Sequence, residues 1–248
     1  MQTPLLYVYL SAQLSHAASQ LARIHPLGDP EALHRYRVAL RRCRSLIALY
    51  LPEEEAFDAV LKQLHKSTAA LRMIDVFTAE TDPARFPRLH RSLVRYRREL
   101  YDTGWNAETL RHHLNALHRL LSDLDPSDTD LPPGILVTGA LRRYRRAVAA
   151  RRKLHRGSPP KTVHRARLRC KEARYALEFL EKSGLAAAGK RIAKCKKALA
   201  RYGEIQDAAD QLAFLERFCE SHPSGECRKL YAERKKRLKK LKKKLMPA

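Results

Sequence analysis

The stretch "HRYRVALRRCRS", residues 34–45, holds five arginines and a histidine and no acid. Like charges one helical turn apart repel, so this run needs a reason to stay together. At 100° per residue, His34, Arg37, Arg41 and Arg44 share one stripe about 80° wide. Tyr36, Leu40, Cys43 and Ile47 form a separate apolar side. Such a segment is restricted to a helix with one packed face and one cationic face.

The rest of the chain follows the same plan. Lys and Arg number 50 against 26 Asp and Glu, a net charge of +24, yet 44% of residues are hydrophobic. That is enough for a packed core and excludes a disordered basic tail. With nine glycines in 248 residues, long breaker-free runs and no strand pattern, the fold class is all-α. So much positive charge self-repels unless an anion absorbs it, which points to nucleic acid, an anionic membrane or a phosphate-rich molecule. No run approaches the ~18 apolar residues of a membrane span. The opening "LLYVYLSAQLSHAA" has no basic residue before it, so it reads as a first amphipathic helix rather than a leader. The five cysteines are odd in number and lack metal-ligand spacing. They read as reduced structural thiols, which suggests a reducing, cytoplasmic compartment.

Breakers and caps place helices at 4–25, 31–51, 53–79, 85–102 and 107–124, the last opened by Asn106 as cap. Further helices fall at 135–154, 162–182 with Thr162 as cap, 185–202, 204–221 and 226–245. Between the two sets lies "DLDPSDTDLPPG", 123–134, rich in proline and aspartate and the clearest linker in the chain. The expected organisation is one domain with an N-terminal helical half, 1–124, a linker, 125–134, and a C-terminal helical half, 135–248.

The halves repeat. "LHRYRVALRRCRS" at 33–45 aligns with "VHRARLRCKEARY" at 163–175, placing His34, Arg37, Arg41 and Arg44 on His164, Arg167, Lys171 and Arg174, 130 residues apart. "LRMIDV" at 71–76 lies over "GEIQDA" at 203–208, which puts Asp75 on Asp207, 132 residues apart. Other cationic stripes have the same spacing. Lys190, Lys194, Lys197 and Arg201 oppose Ile192, Cys195, Leu199 and Tyr202, while Arg88, Arg91, Arg95 and Arg98 form another row and Lys62 and Lys66 a thinner one. Solvated helix faces usually mix signs, because Glu–Lys pairs contribute a few tenths of a kcal/mol each. These stripes are almost purely cationic, as expected if several face a shared cleft that takes a polyanion.

The two histidine-arginine helices and the "GEIQDA" segment resemble the CHAD family, the conserved-histidine α-helical domain. The resemblance spans nearly the whole chain. It implies two pseudo-symmetric bundles of long antiparallel helices around a basic central cavity, binding of inorganic polyphosphate, and association with intracellular polyphosphate granules. Carried over by position, His34, Arg37, Arg41, Arg44, His164, Arg167, Lys171 and Arg174 line that cavity. The candidate binding set also takes in Arg42, Lys62, Lys190, Lys194, Lys197 and Arg201. "ALRMIDV" departs from the family pattern in lacking the glycine and the basic residue found before its aspartate.

The residue types suit phosphate. Arg presents a planar fork for two oxygens and Lys a mobile point charge. Among so many cations His34 and His164 are expected neutral, as phosphate donors or as mere spacers. Glu178 falls on the cationic stripe and is expected to orient Arg174 or Lys171. Asp75 and Asp207, each placed where one helix hands over to the next, are expected to cap or to hold an arginine. No nucleotide-binding loop, metal cluster, paired catalytic carboxylates or ExExK strand is present, so binding without catalysis, cofactor or metal is expected. Signature positions lie off the apolar stripe, so replacing them is expected to spare the fold. From Arg228 to Lys244 the chain carries 11 positive residues and one acid, Glu233. This is either the last bundle helix with a polyanion-facing side, the favoured reading, or a basic arm for nucleic acid or a membrane surface. The alternative for the whole protein is nucleic-acid binding, with nucleic acid otherwise a weaker competitor. Few aromatics lie in the stripes to act as stacking platforms, though Tyr175 does. A basic scaffold for acidic proteins is a third reading, and the oligomeric state is not legible.

Overall fold

The computed structural model describes residues 3–25, 28–155 and 157–245, and among them there is no strand. The helices are α1 (Leu5–Leu21), α2 (Pro30–Tyr50), α3 (Glu55–Ser67), α4 (Ala69–Glu80), α5 (Pro87–Gly104) and α6 (Ala107–Asp123). A 3₁₀ turn (Ser127–Thr129) precedes α7 (Pro133–Arg152), α8 (Pro160–Lys182), α9 (Gly189–Ser221) and α10 (Gly225–Leu245). None of the described helices is long and apolar enough to cross a membrane.

The chain divides into two compact units. The first comprises Met1–Glu80 and Leu93–Gly139, the second Thr81–Ser92 and Ala140–Ala248. The division therefore falls a few residues beyond the expected linker, and a short segment from the first half belongs with the second unit. The linker itself is ordered. Asp125 accepts hydrogen bonds from the Ser127 N–H and hydroxyl, both at 2.7 Å, and these bonds hold its carboxyl below the usual range. Thr129 is buried.

In the first unit α2 packs on α1, with Tyr36, Leu40, Cys43 and Leu46 against Leu10 and Leu14, all fully buried. Burying each such leucine contributes about 1.5–3 kcal/mol. Asp29 caps α2 by accepting from the Glu31 N–H at 2.8 Å, and Asn106 caps α6 through Thr109 at 2.9 Å, as its sequence position suggests. His113 of α6 closes the core. Its Nδ1 lies 2.7 Å from the Tyr36 hydroxyl and its Nε2 3.1 Å from Ser67 Oγ. Ser67 donates its own proton to the Leu64 carbonyl at 3.0 Å, so Oγ accepts from Nε2–H and Nδ1 accepts from Tyr36. Burial, and then the neighbouring His112, push the pKa of this neutral imidazole down to about 4.

The second unit is built on α8 against α9. Cys170, Ala173 and Leu177 meet Ile192, Cys195 and Ala198, with Ala147 of α7 in the same core. Helix α10 lies on α9, with Leu230 buried and Leu238 and Leu241 packed on this core, so it is a docked bundle helix as favoured above.

Four local expectations are corrected. The 53–79 segment is two helices broken at Thr68, because Ser67 and Thr68 turn their hydroxyls back onto the Leu64 and His65 carbonyls. The 185–202 and 204–221 segments form one helix through Gly203. A buried stripe runs on both sides, from Ile192 and Tyr202 to Leu215 and Phe218, and outweighs the ~1 kcal/mol cost of an interior glycine. Consequently Asp75 and Asp207 lie inside helices rather than at handovers. Helix α8 starts at Pro160, so Thr162 sits in its first turn rather than capping it. Cys43, Cys170 and Cys195 are buried free thiols, but Cys219 and Cys227 form a disulfide. The short connection from α9 to α10 brings their Cα atoms to 5.7 Å, so the inference of a reducing compartment keeps only three of its five thiols.

Candidate functional site

In the first unit the signature residues turn largely onto the protein itself. Arg37 donates to the His65 carbonyl at 2.5 Å and to Thr68 Oγ1 at 2.6 Å, capping the broken end of α3. Burial first, then Arg41 and Arg72, push its pKa down to about 10. The guanidinium stays charged at neutral pH, but it is structural, which corrects the expectation that replacing it spares the fold. Arg44 makes a two-pronged pair with Asp58 at 2.8 and 3.0 Å. Arg42 points away from the stripe and donates to Gln13 of α1 at 3.3 Å. Arg41 bonds back to the Arg37 carbonyl at 3.3 Å, and Lys62 is exposed on α3. His34 is half-buried. Burial lowers its pKa most, followed by the charge of Arg72, while Glu31 opposes and Arg41 and Arg37 add to the effect. The expected neutral imidazole is what results. Arg72, in the "LRMIDV" segment, was not among the candidates although its charge reaches both His34 and Arg37.

In the second unit His164 is exposed, Arg167 pairs with Asp207 at 3.1 Å, and Lys171 is half-buried. Arg174 pairs with Glu178 at 3.4 Å and lies over the Tyr175 ring at 4.7 Å. Glu178 thus orients Arg174, and Asp207 holds an arginine, as expected. Asp75 does likewise, accepting from Arg97 at 2.7 Å and from the Tyr101 hydroxyl at 2.8 Å. Tyr175 is only 2% exposed, so it offers no stacking face.

Beside these residues, still within the second unit, a groove of about 1060 Å³ runs between α7 and α9. Lys194, Lys197 and Arg201 of the predicted α9 stripe line one wall, and Arg145, Arg151 and Arg152 of α7 line the other. Glu204 is the single acid, and the floor is Tyr144, Val148, Ala149, Ala198 and Tyr202. Lys190 is exposed nearer the start of α9 and does not line the groove, nor do His164, Arg167, Lys171 and Arg174. A smaller groove of about 380 Å³ lies between α7 and α8, with Arg143, Arg146 and Arg169 facing Glu172. There Arg143 is tied to Glu172 at 2.7 Å.

The α7 arginines were missed in the sequence although "LRRYRRAVAARR", 141–152, carries six of them and no acid. Six cations around one carboxylate in a concave, partly apolar site favour an anion with several charged oxygens. Arg supplies paired donors in fixed planes, and the two lysines adjust to whatever spacing the anion presents.

An all-α chain with this pair of arginine-rich helices falls into a defined class. The model of the CHAD domain family matches residues 8–216. The chain belongs to the CHAD domain family. In structure it resembles the CHAD domain from the plant Ricinus communis, with a TM-score of 0.71 and 17% identity, covering 94% of this chain and 87% of that one. It also resembles PptA from Streptomyces chartreusis, with a TM-score of 0.58 and 20% identity over 97% of this chain and 96% of that one. At these identities the likeness establishes the shared fold. No curated protein matches the chain in sequence.

Proposed function

We propose that the protein binds inorganic polyphosphate without altering it chemically, and that the α7–α9 groove of the second unit is a principal contact. The observation that carries this reading is the lining of that groove, six cations with one acid. Membership of the CHAD family supports it, because the resemblance implies this ligand. A cytoplasmic location at polyphosphate granules belongs to the same proposal. Charge-assisted hydrogen bonds contribute about 1.5–3 kcal/mol each when sheltered and less when solvated, so several partial contacts hold a long chain without one decisive residue.

The test is competition between long-chain polyphosphate and single- or double-stranded DNA of equal charge at fixed salt. Polyphosphate is expected to win, because six cations line the groove against two tyrosines, of which Tyr202 is buried and Tyr144 half-buried. Its log K is expected to fall with log salt at about −0.7 per neutralised phosphate, and a total slope shallower than about −2 would contradict a groove-wide contact. Lys194→Glu/Lys197→Glu is expected to cut polyphosphate affinity at least about tenfold, or 1.4 kcal/mol, with helical content unchanged. Equal or tighter binding of single-stranded DNA that Lys194→Glu/Lys197→Glu weakens in parallel would replace this reading with nucleic-acid binding at the groove.

A further inference from the structure

Helix α10 lies wholly beyond the residues that the family model matches, 8–216. Its two acids are both engaged within the second unit. Glu226 accepts from the Leu89 N–H at 2.8 Å, and Glu233 pairs with Arg85. Its apolar line is used as well, with Cys227 and Leu230 buried, Leu238 and Leu241 packed on the core, and Arg234 only 8% exposed. The Cys219–Cys227 disulfide fastens its first turn to α9. What remains outward between Arg228 and Lys244 is cationic, with ten exposed Lys or Arg and no exposed acid. Lys229, Lys236, Lys239 and Lys243 fall within about 80° of one another, opposite the leucines, on a face rising about 21 Å.

We propose that this outward face of α10 is a second polyanion surface, separate from the α7–α9 groove, that contacts the phosphate backbone of duplex nucleic acid. The surface is the outer side of a helix and is pinned at several points. A flexible polyphosphate chain gains most from a concave groove that surrounds it, whereas a rigid duplex is too thick for such a groove and meets an outward-facing ridge instead. The leucines that a membrane-surface helix would insert are already buried in the protein, which disfavours a lipid partner. The ridge is chiefly lysine, suited to sequence-neutral contact with phosphate oxygens rather than to the bidentate reading of bases. This inference does not depend on polyphosphate binding, and the two fail separately.

The test uses the full chain with a duplex of about 20 base pairs of arbitrary sequence, and in parallel long-chain polyphosphate and phosphatidylserine-rich vesicles. In Lys236→Glu/Lys239→Glu/Lys243→Glu, duplex affinity is expected to fall at least about tenfold, with the salt slope shallower by about 2–3. Polyphosphate affinity is expected to change less than about threefold. The triple Gln variant, which removes charge without adding repulsion, is expected to show most of the duplex loss and carries the test if the Glu variant loses helical content. The proposal is overturned if wild type does not bind the duplex, or if duplex affinity is unchanged in both variants. It is also overturned if polyphosphate affinity falls as far as duplex affinity, or if the vesicles are what the variants lose.

Discussion

On α2, Arg37 reaches across to the frayed end of α3 and caps its carbonyl. On α8 its repeat counterpart Arg167 lies beside Gly203 of α9 and pairs with Asp207, whose side chain is 62% exposed. Arg44 is locked to Asp58 on another helix, while Arg174 is matched to Glu178 one turn away. The first unit therefore uses its signature cations to join helices. In the second, the signature cations pair with carboxylates on α8 and α9, and additional arginines and lysines from α7 and α9 line a groove. Two near-identical stripes thus serve different ends, and the deciding factor is what the neighbouring helices present. Where α3 ends in unsatisfied carbonyls, a guanidinium is drawn inward. Where α7 and α9 border a gap, their cations form its two walls instead.

The largest expected effect that sharpens this contrast is an acid sensitivity located in the first unit. His113 is held neutral with its pKa near 4, below the ordinary 6.5 that it regains on unfolding. Between those values the unfolded state binds more protons, so stability is fully present above about pH 6.5 and is lost as pH falls towards 4. A charged imidazolium also has no acceptor nitrogen left for the Tyr36 hydroxyl. From pH 7 to 4.5 this one group is expected to remove roughly 2–3 kcal/mol, measured by urea unfolding. In His113→Gln, less stable at the outset, the decline over the same window should be smaller by about that amount. An unchanged pH slope would mean that the imidazole is not held neutral by this core.

Next in size is the paired comparison of Arg37→Met with Arg167→Met. Removing the Arg37 guanidinium takes a charged donor from the His65 carbonyl and from Thr68, at an expected cost of about 2 kcal/mol. Removing Arg167 breaks a pair whose acid is largely in water, so the expected cost is within about 1 kcal/mol. Denaturant midpoints of the two variants decide it, and equal losses would erase the distinction between a guanidinium tied to a helix end and one paired with a solvated acid.

How far the sequence led follows the same physics. The helical class, the cationic stripes, the Asn106 cap and the neutral His34 were legible, because each depends on spacing within one helix or on local charge. Asp75 and Asp207, by contrast, were read as capping or arginine-holding without their partners, Arg97 and Arg167, which lie 22 and 40 residues away. The break at Thr68 was not, since it depends partly on Arg37, 31 residues away in sequence. The α7 wall of the groove was visible as composition but not as a site, because only its packing beside α9 decides which arginines face the gap. The Cys219–Cys227 bond likewise needed the length of the α9–α10 connection. Reading Gly203 as a stop failed for a related reason, as a glycine ends a helix only where no buried stripe continues past it.

Gly203 also supplies the smallest and most discriminating test. Its repeat counterpart is Leu71, 3% exposed in α4 of the first unit. The two units thus place a leucine and a glycine at matching positions; Arg167 lies beside the glycine, whereas Arg37 bonds Thr68 and the His65 carbonyl just ahead of α4. A Cβ built at 203 meets Asp207 Oδ2 at 3.7 Å and Arg167 Nε at 3.8 Å, ordinary contacts that need no movement. Gly203→Ala should therefore recover most of the helix propensity that an interior glycine forfeits, stabilising the second unit by about 0.5–1 kcal/mol while leaving the Arg167–Asp207 pair intact. Gly203→Leu, which imports the residue of the first unit, should lose that gain, because the larger side chain needs the space that Arg167 occupies. Urea midpoints of the two variants, read at unchanged m-value, provide the measurement. If alanine destabilises by more than about 0.5 kcal/mol, the glycine is required for something other than room beside Arg167. If leucine is tolerated as well as alanine, the different courses of Arg37 and Arg167 do not originate at this position.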